Sequence, residues 1–392
     1  MQQPAGRAAR KLAYAMGFVA SALLAACGGG GGGGPPPQGT LKLALAGAPS
    51  CYKEGWGGVG EVGIHKAGDV QGDNEGGWEE IVPPDAPVRV NLLDLTNGDL
   101  EDLGSAQVDA GTYRQMRLVL SDAANANEVV LLDNSRHELK TPSGQTSGIK
   151  LKTDFDVLEG ATTDLVLDFD ACKSVVKAGN SGQYILKPVI RLSDKVPGGI
   201  QGYVDTSMVS GSASTAVTAY IDGEAVRATV PDSTGKFKLA YLQPGSYTVV
   251  ITSTDKATGV ITKVPVGSKV LTVAPSGDRI DLPASATHTV TGTVRDGSAA
   301  VGDAFVTAWQ EIANGFVNVL STAVDYDTGE YTLTLPTEDP VVAPYDKSGL
   351  TFTADTTADG VYTLKASAPD RTTLSKDVDT LAPTANPVDF TY

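Results

Sequence analysis

Cysteine and histidine are scarce in this chain, three of each among 392 residues. Three cysteines are too few for a disulfide scaffold or a structural zinc array, and three histidines leave little for an imidazole-based metal site. Aromatic residues make up only 6%. Basic residues are outnumbered, 30 Lys and Arg against 46 Asp and Glu, for a formal charge of −16. Phosphate backbones repel such a chain, which argues against nucleic acid as a partner. No G-x-S-x-G elbow, H-E-x-x-H helix or P-loop occurs, so the common local signatures of hydrolases, metalloproteases and phosphoryl-transfer enzymes are missing. No apolar run reaches the roughly 20 residues of a membrane-spanning helix. Glycine, by contrast, is abundant at 45 residues. At ~150 residues per domain the length predicts two or three domains, each large enough to bury a core unaided.

Residues 1–26 read as an export signal rather than as fold. Arg7, Arg10 and Lys11 form a positive start, and Leu12 to Leu24 is an apolar run of 13 residues. Leu24-Ala25-Ala26-Cys27 follows, a setting that resembles the lipobox of bacterial lipoproteins. The resemblance implies cleavage before Cys27, a diacylglycerol on its thiol and an acyl group on the freed amine. Two or three acyl chains suffice for stable anchoring, since each buried CH₂ contributes ~0.8 kcal/mol. Seven glycines, Gly28 to Gly34, and Pro35-Pro36-Pro37 then make a flexible tether over residues 27–38. Gly28 is not the aspartate that marks inner-membrane retention, so the outer membrane is the favoured address within the bacterial envelope. Cleavage leaves 366 residues with a charge of −19.

From Thr40 onward a period of two dominates. Ile149, Leu151, Thr153, Phe155 and Val157 alternate with Lys150, Lys152, Asp154 and Asp156, the pattern of a half-buried strand. Leu165, Leu167 and Phe169 repeat it, as do Met116, Leu118 and Leu120. Val90 to Leu95 reads as strand and corner, and the only convincing helical stretch is the apolar run of the signal. Asn97-Gly98, Ala110-Gly111 and Ser143-Gly144 punctuate the strands as turns. Beyond Pro197-Gly198 the chain repeats itself. Gly202, Gly235-Lys236-Phe237 and Gly245-Ser246-Tyr247 recur as Gly292, Gly329-Glu330-Tyr331 and Gly360-Val361-Tyr362, at offsets of 90, 94 and 115. The growing offset places an insertion around Pro336 to Thr356. Gly235 and Gly329 should sit in tight hairpins, with the following aromatic facing inward. The expectation is an all-β chain of three sandwich-type domains in tandem, at 39–195, 198–286 and 287–392.

These motifs carry two further resemblances. The repeat resembles the carboxypeptidase regulatory-like, or transthyretin-like, β-sandwich found in bacterial surface proteins, closely over 198–286 and less so over 287–392. Val90 to Gly98, Ala110 to Leu118, Ser147 to Lys150, Asp168 to Ala171, Ser174 to Val176 and Tyr184 to Ile190 together resemble domain of unknown function 4382 of bacterial envelope lipoproteins. That resemblance implies an envelope context and supplies no catalytic residues. Cys172 stands where the family pattern would have a basic residue. With Cys27 lipidated, Cys51 and Cys172 are the two remaining thiols in an oxidising compartment, and a bridge between them is expected. Two separate buried thiols are the alternative.

The remaining candidate sites each have a bland reading beside the chemical one. Gly55-Trp56-Gly57-Gly58-Val59-Gly60 satisfies G-x-G-x-x-G, but no helix follows, so a flexible loop is expected rather than a dinucleotide cradle. Asp325 to Glu330 looks like half a calcium loop, and its counterpart at Pro231 to Gly235 points to a hairpin turn instead. Asp69, Asp73, Asn74 and Glu75 read as a solvated loop. Asp168 and Asp170 could serve acid–base chemistry; pairing with Lys187, Arg117 or Lys150 is the expected use. His65, His137 and His288 fall on separate segments. No catalytic, metal or cofactor site is assigned. Trp56 and Trp78 are the possible ligand contacts, as rings that stack on sugars or as caps on the core. The expected function is a non-enzymatic, lipid-anchored envelope protein that binds, adheres or scaffolds, with a glycan or an envelope protein as partner. The alternative is a carbohydrate-binding or carbohydrate-processing accessory lipoprotein, with hydrolysis at the acidic strand as its enzymatic form.

Overall fold

The computed structural model describes residues 36–47, 52–70, 76–81, 87–142, 144, 147–179, 181–211, 213–313, 315–382 and 386–392. Residues 1–26, expected to be an export signal, Cys27, the glycines of the expected tether, and Cys51 lie outside the described residues. The architecture is all-β, a series of packed sheets as the alternation predicts.

Leucines at 41, 43 and 45 alternate along the strand Gln38–Gly47, which lies parallel to Thr162–Phe169 with Leu43 opposite Leu165 and Leu45 opposite Leu167. Ile190–Asp194 and Glu101–Asp109 complete this four-stranded sheet. It packs on a nine-stranded sheet centred on Glu54–His65 and Gly111–Leu120, and the buried Val59, Val62, Ile64, Met116 and Leu118 share one core with the leucines. Each such fully buried side chain contributes about 1.5–3 kcal/mol. Ile149–Val157 is the half-buried strand expected and lies at the edge of this sheet, with Phe155 and Val157 buried and Lys152, Asp154 and Asp156 exposed. Val88–Asn91 is a strand that turns a corner through the single 3₁₀ turn Leu92–Leu95, capped by Asn91. A one-turn helix at Ala171–Ser174, capped by Asp170, was not foreseen. It is too short to show a helical period.

The internal repeat is realised strand for strand. Gly199–Tyr203 pairs with Lys236–Ala240, and Thr287–Asp296 pairs with Glu330–Pro336. Thr215–Ile221 pairs with Gly245–Ser253, and Phe305–Ile312 pairs with Val361–Ser367. Gly235 and Gly329 take φ of +80° and +72° in their hairpins, and Phe237 and Tyr331 are buried. Gly202 makes room for the Phe237 ring, from which a Cβ would lie 2.7 Å, and Gly292 for the Val388 carbonyl, whose oxygen a Cβ would approach to 2.0 Å, with the Tyr331 ring at 2.8 Å.

The insertion does not stay with its own repeat. Val341–Pro344 runs parallel to Gly259–Val266 and extends the sheet of the preceding module, with Thr353–Ala354 beyond it. Val341 is buried in that module's core. Buried apolar residues therefore fall into three clusters, yet Pro37 to Tyr392 is one compact unit.

Candidate functional site

Of the two sequence-flagged tryptophans, Trp56 lies within the strand Glu54–His65 and Trp78 packs its ring over Gly63 of the same strand. The glycine-rich run is the interior of this strand, not the flexible loop expected from composition. Its glycines answer close approach: a Cβ at Gly58 would sit 2.9 Å from the Cβ atoms of both Ala126 and Ser121. Asn127 Oδ1 accepts from Gly58 N–H at 3.1 Å, and Asn91 Oδ1 accepts from Gly55 N–H at 3.0 Å. No phosphate cradle is formed, because these N–H groups are spent on side chains of the same domain.

Trp56 and Trp78 are both half-buried. The Arg89 guanidinium lies 4.1 Å from the Trp56 ring centre, and Trp56 Nε1 donates to Glu54 Oε2 at 2.8 Å. The Arg117 guanidinium lies 4.7 Å from the Trp78 ring centre and donates to Glu61 Oε1 at 2.8 Å. His65 meets the Trp78 ring edge-on at 5.3 Å. Each indole thus has an arginine on one face, an arrangement worth about 0.5–1 kcal/mol at such sites. Behind Trp56, between the two sheets, lies a small apolar cleft lined by Tyr52, Gly55, Gly57, Leu92, Phe169 and Val175 among others.

The acidic strand is occupied elsewhere. Asp168 Oδ2 lies 2.9 Å from Arg227 Nη1, with side-chain exposures of 8% and 7%. Burial pushes the Asp168 carboxyl above the usual carboxylate range, and the Arg227 charge offsets only part of that rise. Asp170 caps the short helix by accepting from Lys173 N–H at 3.1 Å, and its carboxylate meets Lys173 Nζ at the same distance. The expected partners Lys187, Arg117 and Lys150 are thus not those that hold this pair. Local strand reasoning looked to adjacent strands, whereas Arg227 comes from the following module. Each carboxylate is thus engaged by its own basic partner, Asp168 by Arg227 and Asp170 by Lys173.

Other candidates resolve in the same way. Asp325 accepts from Gly179 N–H through both oxygens at 2.9 Å, and from Asp327 and Thr328 N–H at 3.1 and 3.0 Å. Burial alone would raise its carboxyl, but these N–H donors outweigh that and hold it below the usual range. Its counterpart Asp232 accepts from Thr234 and Lys236 N–H, so the hairpin reading covers both copies. Asp73, Asn74 and Glu75 lie outside the described residues. Among the described residues no group of three or more His, Cys, Asp or Glu side chains is placed to hold a metal. Cys172 is half-buried on the short helix. Beside the undescribed Cys51, Tyr52 donates its hydroxyl to Val175 O at 3.1 Å, one residue past that helix. Burial, with the Tyr184 charge adding, pushes Tyr52 up to about 12.

Sequence reasoning missed the residues that join the modules. Asn97, read as a turn residue, accepts from Lys238 N–H at 2.8 Å through Oδ1 and donates its own N–H to Thr229 Oγ1 at 3.0 Å. Tyr326 N–H donates to Lys177 O at 2.9 Å, and Lys187 Nζ lies 4.3 Å from the Tyr326 ring centre. The one available signal was Arg227, a cation inside a strand, Glu224–Thr229, where a single surface sheet would not require one.

No curated protein matches the chain. Among solved structures it is similar to the Streptococcal ancillary pilin, with 9% identity over 90% of this chain and 98% of that chain and a TM-score of 0.18. It is also similar to the Bacillus anthracis TIE protein, with 14% identity over 91% of this chain and 50% of that chain and a TM-score of 0.17. A cohesin–X-dockerin complex from Acetivibrio cellulolyticus gives 28% identity over 22% of this chain and a TM-score of 0.19, and the chain spans 58% of that protein's length. Residues 38–188 match the family described as Domain of unknown function (DUF4382).

Proposed function

We propose that the protein is a lipid-anchored component of the bacterial cell envelope, favouring the outer membrane, whose folded body binds, adheres or scaffolds without catalysing a reaction. The observation that carries the non-catalytic reading is the fate of Asp168 and Asp170. One is locked in a buried ion pair and the other caps a helix. The anchoring reading rests on the Leu-Ala-Ala-Cys27 motif and the Gly/Pro tether behind it, whose glycines span about 15 Å as a random coil. The body is read as three domains, a first of the DUF4382 type followed by two carboxypeptidase regulatory-like modules. A Cys51–Cys172 bridge belongs to the same reading. It is supported by Tyr52, which holds the chain next to Cys51 against the segment just after the Cys172 helix. Closing a loop of ~120 residues contributes about 4–5 kcal/mol in the chain-entropy model.

The purified mature protein, assayed on glycan, peptide and ester panels, should show retention of ligands without turnover; robust turnover that is lost in Asp168→Asn would overturn the reading. Retention on a glycan array that survives a Trp56→Ala, Trp78→Ala double substitution would remove the tryptophans as the contact. Non-reducing peptide mapping should recover a Cys51–Cys172 cross-linked pair, and an alkylatable Cys51 would refute the bridge.

A further inference from the structure

The second module leaves two sheet edges open on one side. Glu224–Thr229 is the end strand of its larger sheet, and Lys236–Ala240 is the end strand of its smaller one. Edge strands expose unpaired N–H and C=O groups and need covering. The segment Leu92 to Gly98 of the first domain meets both edges at once. Asn97 N–H donates to Thr229 Oγ1 on one edge, and Asn97 Oδ1 accepts from Lys238 N–H on the other. Gly98 O accepts from the Tyr241 hydroxyl at 2.9 Å.

The backbone of this segment is specialised for the contact. Asn97 and Gly98 take φ of +57° and +86°, and a Cβ on Gly98 would lie 2.9 Å from the Ala240 Cβ. Only glycine permits both that conformation and that approach. Beside this finger, Asp168 meets Arg227 in a buried pair, and Arg227 Nη2 donates to Ser193 Oγ at 2.9 Å. A charge taken out of water is tolerated only with a fixed partner, so the pair sets the orientation of the two bodies. Gln243 Nε2 donates to Asp194 Oδ2 at 3.1 Å on the rim.

We propose that residues 38–188 act as a docking domain for a β-sandwich module, with Asn97, Gly98 and Asp168 forming a socket that binds the module's two open edges without need of the covalent linker. The partner it fits is a sandwich that presents a hydroxyl and an arginine on one edge strand and a free main-chain N–H on the other. Here that partner is the next module of the same chain. This assignment goes beyond the proposed envelope role and holds whatever the exposed faces bind.

The test uses the full chain with a protease site inserted between Lys195 and Val196, in the exposed linker. After cleavage the two fragments should co-elute as a 1:1 complex from a size-exclusion column. Thr229→Val removes the hydroxyl that Asn97 engages while keeping its volume, and should weaken reassociation by about tenfold. Asn97→Ala with Arg227→Met should separate the fragments at micromolar concentration. Melting of each uncut variant reports whether it folds, and the Thr229→Val arm stands even if the double variant does not. Fragments of the wild-type sequence that part on cleavage would overturn the proposal. So would variants that reassociate as tightly as wild type, since the hold would then come from contacts outside the socket, such as those of Gly179 with Asp325 and of Lys177 with Tyr326.

Discussion

Arg227 and Asp168 set the largest single-residue effects expected in this protein. Asp168→Leu leaves Arg227 buried with its charge uncompensated, which costs about 3–5 kcal/mol. Replacing both, with Asp168→Leu and Arg227→Met, should recover most of that loss, because well-packed apolar groups avoid the desolvation of two ions. Denaturant melts of the two singles and the double form the cycle; additive losses would contradict a coupled pair. Tyr52 gives a prediction at the alkaline end. Its hydroxyl is pushed from 10.0 up to about 12 by burial, so the fold favours the neutral form. That contribution is present below pH 10 and lost as the pH rises towards 12. Tyr52→Phe should flatten stability in that window, as read by thermal melting across pH. At the acid end the sign reverses for Asp325, whose carboxyl is held below 3.8. Its contribution is present above that value and is lost as the pH falls further.

At the scale of elements, the Glu54–His65 strand separates two kinds of glycine. Gly58→Ala drives a methyl group to 2.9 Å from two neighbouring Cβ atoms and should destabilise by about 1–3 kcal/mol. Gly57→Ala points into the apolar cleft, where the one neighbour within reach is a Leu92 methyl at 3.8 Å. It should stabilise by about 0.5–1 kcal/mol, since alanine also orders the unfolded chain. Melting temperatures of the two variants should move in opposite directions, and a parallel drop would contradict the packing described. These elements were largely legible in the sequence. Alternation at 149–157 and 165–169 located strands, and the Gly235 and Gly329 hairpins located the repeat. The glycine run at 55–60 was misread as a loop, because a strand stripped of side chains shows no period. Its identity depends on Asn91, Ser121, Ala126 and Asn127, which local sequence does not place beside it.

At the scale of the molecule, the modules are joined by contacts that no periodicity reveals. The first domain meets the second through Asn97 and Asp168, and the third through Gly179 and Lys177. The second and third share a sheet through Gly259–Val266 and Val341–Pro344. A turn residue, a strand cation and an insertion each looked local from the sequence, and each spans a seam. Such closure predicts that residues 37–392 unfold in fewer transitions than there are modules. Asp325→Ala, by removing the acceptor for three main-chain N–H groups, should split the calorimetric peak. An unchanged single peak in that variant would deny the seam a role in cooperativity.

The proposed role requires that the chain be tied to a membrane. Intact mass analysis of the protein extracted from bacterial membranes tests this most directly. The account predicts a polypeptide beginning at Cys27 that carries a diacylglyceryl thioether and an N-acyl group. An unmodified Cys27, or an N-terminus at any other residue, would contradict it.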